Sequence, residues 1–185
     1  DSTLVVTDPA TGTRGTRLGL VASEVTDGVA LGRWCPLPGV RIDTALAGGA
    51  PWHVRVHRIE TDREVTLAET GFALPWEPAG FTFAPHDDAD PGQVTGTSPW
   101  GATTIVDRRR DGAPERIAAL RTVTVNANLL SPHTLVPALD VTVGPGTHWL
   151  ACAVGASDDA DAVVLSEAPD VPDDLVARLE EFAAR

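Results

Sequence analysis

The sequence predicts an all-β fold, an antiparallel β-sandwich that carries a short C-terminal α-helix. Two observations predict the sheets: apolar and polar residues alternate over many short segments, and turn-forming residues separate these segments at short intervals. A third observation predicts the helix, because apolar residues recur at helical spacing from Pro172 onward. Many short strands followed by one helix are typical of a β-sandwich.

Alternation of apolar and polar residues predicts two sets of strands, which differ in how regular the alternation is. The clear segments are 16–25, 52–60, 64–74, 117–126, 135–143 and 147–154, and the weaker ones are 4–7, 29–34, 40–46, 81–84 and 102–107. Gly144-Pro145-Gly146 joins two clear segments and predicts a hairpin turn. Pro137 has no backbone N–H to donate, so it predicts an edge strand or a bulge within its segment.

The helix begins with residues that suit a helix N-terminus. Pro172 fits a first turn, and the carboxylates of Asp173 and Asp174 fit the positive end of the helix dipole. One face of the helix is apolar and is formed by Leu175, Val176, Leu179, Phe182 and Ala183. We expect this face to pack on a sheet.

Size and charge restrict the class of protein. The 185 residues are enough for one domain with a substantial core, and no apolar run approaches the roughly 20 residues of a transmembrane helix. The net charge of −12 argues against nucleic acid and anionic membranes, which bind positive surfaces. Because the chain lacks methionine, we expect residues 1–185 to be a single sandwich domain that is a piece of a longer protein. Cys35 and Cys152 are expected as buried free thiols, with one disulfide as the alternative.

The segment 52–60, WHVRVHRIE, contains two histidines four residues apart. On a helix His53 and His57 could share a zinc ion. On a strand the same spacing is about 13 Å, which is too far for ligands that must each lie about 2 Å from the metal. The β-branched residues and the alternation favour the strand, so we expect no metal here.

An extended segment 52–60 has two different faces. Trp52, Val54 and Val56 would point to the core, while His53, Arg55 and His57 would point outward, followed by Arg58. Two interpretations of the outward face stay open. The basic groups could pair with acidic neighbours, or they could bind a polar ligand or another domain. The acidic neighbours considered are Glu60, Asp62, Glu64 and Glu69.

Other candidate ligand residues lie outside this segment. Trp76 and Trp100 lie next to prolines in loop-like sequence and could stack on a sugar ring, although core packing is the alternative for each. Asn126 and Asn128 would share one face of a strand, where they either support a turn or bind a polar ligand. The sequence has no nucleophile elbow, phosphate loop, Cys/His cluster or nicotinamide fingerprint, so we expect no cofactor.

Several segments follow one another in an order that resembles a known family. They are Trp34-Cys35-Pro36, 51–59, 69–74, 126–137 and 148–154. Over most of residues 16–156 the chain resembles the C-terminal region of the bacterial family called domain of unknown function 2264. Glu69-Thr70-Gly71 and His133 depart from the pattern, where two glycines and an arginine are expected.

This resemblance implies a two-domain protein with an N-terminal (α/α) toroid and a C-terminal β-sandwich. The layout is similar to that of heparinase II/III-type polysaccharide lyases and of toroid glycoside hydrolases that act on uronic acid-containing sugars. The chain would then be an accessory module without turnover, packing on the toroid and walling its sugar-binding cleft. In the intact protein His53 or His57 would assist proton transfer. The expected ligand-binding residues are Arg55, Arg58, Asn128, Trp76 and Trp100.

Two alternatives to the accessory module stay open. A free-standing carbohydrate-binding module would bind sugars alone and lose binding on Trp76→Ala or Trp100→Ala. A purely structural domain would tolerate His53→Ala without any change in the activity of the intact protein.

Overall fold

The computed structural model describes residues 4–15, 20–49, 51–71, 82–85, 92–98, 101–108, 112–124, 133–157 and 168–185. These residues form two antiparallel sheets and one helix, which confirms the predicted all-β sandwich. The elements are β1 (Leu4–Thr7), β2 (Arg14–Gly15), β3 (Leu20–Thr26), β4 (Val29–Leu37), β5 (Val40–Gly49), β6 (Trp52–Thr61), β7 (Val65–Thr70), β8 (Thr82–Pro85), β9 (Gln93–Ser98), β10 (Gly101–Asp107), β11 (Ile117–Thr124), β12 (His133–Val143), β13 (Gly146–Ser157) and α1 (Asp173–Ala183). No helix in these ranges is long and apolar enough to cross a membrane.

The smaller sheet has the strand order β11-β12-β7-β1-β2, and the larger sheet has the order β3-β4-β5-β6-β13-β10-β9-β8. Strand β6, which contains the WHVRVHRIE motif, therefore lies inside the larger sheet between β5 and β13. A tight turn is present at Gly144-Pro145-Gly146, as predicted, but the prediction of a hairpin is wrong, because β12 pairs within the smaller sheet and β13 within the larger one. Strand β9 was not predicted, since Gly96 and the small polar residues around it weaken the apolar alternation.

The prediction that Pro137 marks an edge strand or a bulge is wrong. Strand β12 is paired on both sides, with β11 and β7, and Pro137 faces Leu120 in an unbroken register. The carbonyl of Pro137 accepts a hydrogen bond from the Gly71 N–H, just beyond the last residue of β7. The missing N–H of Pro137 therefore faces Gly71, one residue beyond the end of β7, so β12 keeps its register with both neighbours without that bond.

The larger sheet is covered on both faces. Helix α1 packs on the outer face of β4, β5 and β6, and the predicted apolar stripe of the helix is buried there. The smaller sheet covers the inner face, where Trp34, Ile42, Ile59 and Leu67 belong to one apolar group. Each fully buried large apolar side chain contributes about 1.5–3 kcal/mol to stability. The result is a three-layer molecule with the larger sheet in the middle.

Neither cysteine forms a disulfide, and only Cys152 follows the predicted burial. Cys152 is buried in the inner core, whereas Cys35 is exposed. Trp34 points into the inner core, so alternation turns Cys35 to the opposite face near the end of β4, where the register is also irregular.

One end of the sandwich is the end at which β6 begins, where strands end and loops join them. We call this end, which is not an edge strand, the Trp52 edge. The antiparallel registers place the last residues of β3, β5, β7, β9, β11 and β13 at this edge, together with the first residues of β4, β10 and β12. Loops that join strand ends at one edge are common positions for binding residues.

Candidate functional site

Strand β6 is extended over Trp52–Thr61, as predicted, and alternation separates its side chains into two sets. The prediction that His53, Arg55 and His57 lie on an exposed face is wrong for two of the three. Arg55 is only 4% exposed and His57 only 3%, because the smaller sheet covers this face. Val54 is buried on the other face against α1. Alternation separated the two faces correctly, but the polar face lies against a second sheet instead of solvent.

The covered polar residues meet a carboxylate from the opposite sheet. Glu69, on β7, places Oε1 2.8 Å from Nε2 of His57, and Oε2 accepts a hydrogen bond from Nη1 of Arg116 at 2.7 Å. Arg116 also donates from Nε and Nη2 to Oδ1 of Asp107, at 2.8 and 2.6 Å. Arg55 brings Nη1 to 3.8 Å from Oε1 of Glu69. We call these five residues the inter-sheet charge cluster.

Backbone carbonyls from both sheets complete the contacts of the two arginines. Arg55 donates from Nη1 to the carbonyl of Thr70 at 3.0 Å, and Arg116 donates to the carbonyl of Ala151. Buried arginines need such partners, because an unpaired charge away from water is costly. The cluster therefore fastens β6 and β13 of the larger sheet to β7 of the smaller one.

The cluster contains charges of both signs. Arg55 and Arg116 each carry one positive charge, and Glu69 and Asp107 each carry one negative charge when ionised. Burial alone would raise the pKa of Glu69, but His57, Arg116 and Arg55 outweigh it and hold this pKa well below its usual range. Burial lowers the pKa of Arg116, but the neighbouring anionic groups, Glu69 first, raise it overall. Both ions therefore stay charged at neutral pH.

His57 is held on both ring nitrogens. Its Nδ1 lies 2.5 Å from Oγ1 of Thr44, and its Nε2 faces Glu69. The ring also meets Trp34 edge-on, with centroids 6.3 Å apart. Because these contacts lie inside the sandwich, His57 links its own sheet to the smaller sheet and does not reach the surface.

His53 lies nearer the surface, at the Trp52 edge, and is half-buried. Its Nε2 accepts hydrogen bonds from Nε and Nη2 of Arg55, at 3.0 and 2.8 Å. Burial, followed by the positive charge of Arg55, lowers the pKa of His53 to about 4, against a smaller opposing effect of Glu69. At neutral pH His53 is therefore an uncharged ring, which cannot act as a general acid from a protonated state.

Cys152 adjoins the same cluster but is not a nucleophile at neutral pH. Burial, together with the negative charge of Glu69, raises the pKa of its thiol well above the usual value. Cys152 pairs with Arg55 across the β6–β13 ladder and belongs to the apolar group that includes Ile105. Its role is that of a small core residue.

Arg58, predicted to bind a ligand, lies in a second group of charges beneath α1. The carboxylate of Asp43 is completely buried, with Nε of Arg33 at 2.6 Å, Nη2 of Arg41 at 2.9 Å and Nη1 of Arg58 at 3.8 Å. Arg58 also donates to Oε1 of Glu60 at 2.6 Å. We call Asp43 and the three arginines the helix-end arginine group.

The helix-end arginine group supplies positive charge at the C-terminal end of α1. The last turn of α1 contains no basic residue. Arg33 donates to the carbonyls of Phe182 and Ala183, at 2.9 and 3.1 Å, and Arg41 donates to Ala183 at 2.5 Å. Cations at this end stabilise a helix, because its terminal carbonyls carry partial negative charge.

Sequence reasoning named Glu69, Asp43 and Asp107 among the 26 acidic residues without distinguishing them from the others, and it did not identify Arg116. One signal could have identified Glu69: it continues the series Val65, Leu67 at alternate positions, both of which are completely buried. The same signal is present in β6, where His57 lies on the same face as Ile59, two residues later, which is completely buried. A charged residue that continues an apolar series is a candidate for a buried ion pair.

The remaining predicted ligand residues, Trp76, Trp100 and Asn128, lie outside the described residues, and their roles stay predictions. The strands that flank them in the chain end or begin at the Trp52 edge. Two open depressions in the described part, each of about 600 Å³, lie elsewhere and are not lined by His53 or Arg58.

Several solved structures share this fold, the following three among them. The heparan sulfate lyase HepC from Pedobacter heparinus matches 87% of the chain with a TM-score of 0.56 and 10% identity. A polysaccharide lyase matches 86% of the chain (TM-score 0.51, 12% identity), and a heparinase III gene product matches 77% (TM-score 0.51, 6% identity). The chain spans 24%, 26% and 22% of these three proteins, respectively. At such identities the likeness shows the fold alone.

The fold and these matches define the class as a β-sandwich domain of the kind found within much longer chains. The chain belongs to the DUF2264 C-terminal domain family, whose model matches residues 13–171. This confirms the resemblance found in the sequence. A search of curated proteins gave no match.

Proposed function

We propose that this chain is the accessory β-sandwich domain of a longer bacterial carbohydrate-active protein. In this proposal it packs on an N-terminal (α/α) toroid and forms one wall of the sugar-binding cleft, without catalysing turnover itself. The intact protein would be a glycoside hydrolase or polysaccharide lyase that acts on uronic acid-containing sugars.

The observation that carries the proposal is the use of the ionisable groups inside the sandwich. Glu69, His57 and Arg116 satisfy one another between the sheets, and Cys152 is a buried thiol with a raised pKa. General acid–base catalysis needs a titratable group within hydrogen-bond reach of the substrate. The groups that could have formed such a site from β6 and β7 instead hold the two sheets together, which favours an accessory role.

The matches to solved structures agree with this role. They include proteins described as a heparan sulfate lyase and a polysaccharide lyase, and this chain corresponds to about a quarter of each. The family model is that of a C-terminal domain. In this proposal the sandwich depends on the remainder of the protein for chemistry.

The Trp52 edge is the part of the sandwich that we assign to the cleft. His53 is half-buried there, and its uncharged ring, oriented by Arg55, is a polar group of the kind that contacts sugar hydroxyls. We retain His53 as a candidate for assisting catalysis in the intact protein, and we assign His57 to the inter-sheet charge cluster. Trp76, Trp100 and Asn128 stay candidates for contact with the sugar.

The test compares the isolated chain with the full-length protein on uronic acid-containing oligosaccharides. Formation of new reducing ends reports hydrolysis, and formation of an unsaturated uronate reports elimination. We expect turnover by the full-length protein and none by the isolated chain. Turnover by the isolated chain, or its absence in both proteins across a panel of such sugars, would overturn the proposal.

A further inference from the structure

An apolar corner of the larger sheet is open to solvent. Leu20, Val25 and Leu46 are 61%, 77% and 38% exposed, although they belong to strands of a well-packed sheet. Val25 pairs with Ala30, which in turn pairs with Leu46, so the three side chains form one row across β3, β4 and β5. Leu20 lies against the same face, close to Gly32. We call Leu20, Val25, Ala30 and Leu46 the open corner.

The corner is open because the smaller sheet is too narrow to cover it. The edge strand of that sheet, β2, lies over β4, where Gly15 approaches Pro36 so closely that a Cβ would lie 2.5 Å from the carbonyl oxygen. Strand β3 lies beyond this edge. The row continues from Leu46 to its partner Arg55 on β6, so the open corner leads directly to the Trp52 edge.

Strand β3 is also an edge strand, paired only with β4 among the described strands. Edge strands with exposed apolar side chains are aggregation sites unless something covers them. Contiguous exposed apolar surface on a sheet marks an interaction site. On the outer face β3 is linked to α1 and the C-terminus, through Arg178 to the carbonyl of Thr26 and through Arg185 to Glu24. Its inner face has no such polar cover in the described part.

We propose that the open corner is the docking surface for the portion of the same protein that precedes this domain. The proposal rests on the proposed function, since it requires a longer protein. Two observations favour this occupant over a second copy of the chain. First, the family is that of a C-terminal domain, and the matched structures are about four times as long as this chain. In a protein of that length, residues that precede the domain supply the covering segment. A net charge of −12 makes two copies repel each other.

The test measures thiol accessibility in the full-length protein. Cys35 is exposed and is first replaced by serine, while Cys152 is buried and keeps its thiol protonated. Val25→Cys then places one thiol in the open corner. The matched control is Ile117→Cys, since Ile117 is 70% exposed on β11, the edge strand of the other sheet. Thermal unfolding confirms that each variant is folded.

Docking predicts that a maleimide labels Val25→Cys at least about ten-fold more slowly than Ile117→Cys, because a covered thiol reacts only when the interface opens. A ratio below about ten overturns the proposal. The labelling is repeated after dilution, with the mass measured by light scattering. A slow labelling rate that recovers on dilution, together with the mass of a dimer, identifies a second copy as the occupant. This result also overturns the proposal.

Turnover measured on the same samples separates this inference from the proposed function. Slow labelling of Val25→Cys without turnover supports docking and removes the carbohydrate role. Turnover with rapid labelling at position 25 keeps the carbohydrate role and overturns docking at the open corner.

Discussion

Replacing Glu69 with glutamine is the most direct test of the inter-sheet charge cluster. The substitution keeps the size and shape of the side chain but removes the negative charge between Arg116, at 2.7 Å, and Arg55, at 3.8 Å. Both arginines are almost completely buried and would be left without their central counter-ion. Removing one partner of a buried ion pair costs about 3–5 kcal/mol, because the remaining charge is not compensated.

The expected change in melting temperature follows from the length of the chain. The entropy of unfolding is about 2.1 cal/mol/K per residue, which gives about 0.4 kcal/mol/K for the 185 residues. A loss of about 3–5 kcal/mol should therefore lower Tm by about 8–13 °C. Circular dichroism at pH 7 measures this shift, and urea unfolding gives the free energy independently.

The matched control is Glu60→Gln. Glu60 forms ion pairs with Arg58 and Arg41, but its side chain is 38% exposed, so the expected loss is below about 1 kcal/mol. A double variant, Glu69→Gln with Arg116→Met, removes charge of both signs and should recover part of the loss. The reasoning is refuted if Glu69→Gln destabilises the domain no more than Glu60→Gln does.

Unfolding measured as a function of acid pH tests the same residue, because the direction of its pKa shift fixes how stability changes with pH. The pKa of Glu69 is held well below its usual range in the folded domain, whereas in the unfolded chain it is about 4.3. The unfolded state therefore takes up the proton first, and the stability that Glu69 contributes above about pH 4.3 is lost as the pH falls toward its folded pKa. Glu69→Gln should remove this component of the acid dependence.

Three further predictions concern other positions. His53 has a folded pKa of about 4 and an unfolded pKa of about 6.5, so stability should fall as the pH decreases between these values, and His53→Gln should flatten that slope in urea unfolding series. Asp43→Asn removes the buried counter-ion of three partly buried arginines beneath α1 and should cost up to about 3 kcal/mol, with faster amide exchange over 173–183 than over 65–70 as its signature. Gly15→Ala would place its Cβ against the backbone of Pro36 and should lower stability by about 1–3 kcal/mol, whereas Gly49→Ala, with open space around it, should change Tm little.

Local patterns were sufficient to predict the elements that depend on neighbouring residues. Helix α1 was predicted because its apolar spacing is contained in one short segment, and the five expected residues are buried. The tight turn after Val143 was predicted because its residues are adjacent in the chain, whereas the separation of β12 and β13 into different sheets was not predicted. Strand β6 was predicted from alternation and β-branched residues, and its two faces were separated correctly.

The partners of these faces could not be predicted in the same way. Glu69 meets Arg116 from a position 47 residues earlier in the chain, and Arg33 binds the carbonyl of Ala183, 150 residues away. Such pairs depend on sheet order, which alternation does not determine. Alternation also does not show what lies against a face. For this reason Arg55 and His57 were assigned to solvent, although the smaller sheet covers them.

The burial of both faces of β6 restricts where this domain can contact anything else. One face is occupied by α1 and the other by the inter-sheet charge cluster along its middle, so a ligand or partner can reach β6 only near Glu60 at its end or at its beginning, beside His53. The open corner adjoins the same place, because Leu46 pairs with Arg55, which donates to His53. A partner docked on the corner would therefore remove water from His53, since Arg55 is already buried. Burial is the first cause of the lowered pKa of His53, so docking would keep that ring neutral and its hydrogen bond with Arg55 intact. The accessory role and the docking surface thus depend on one local arrangement of four neighbouring strands, β3, β4, β5 and β6.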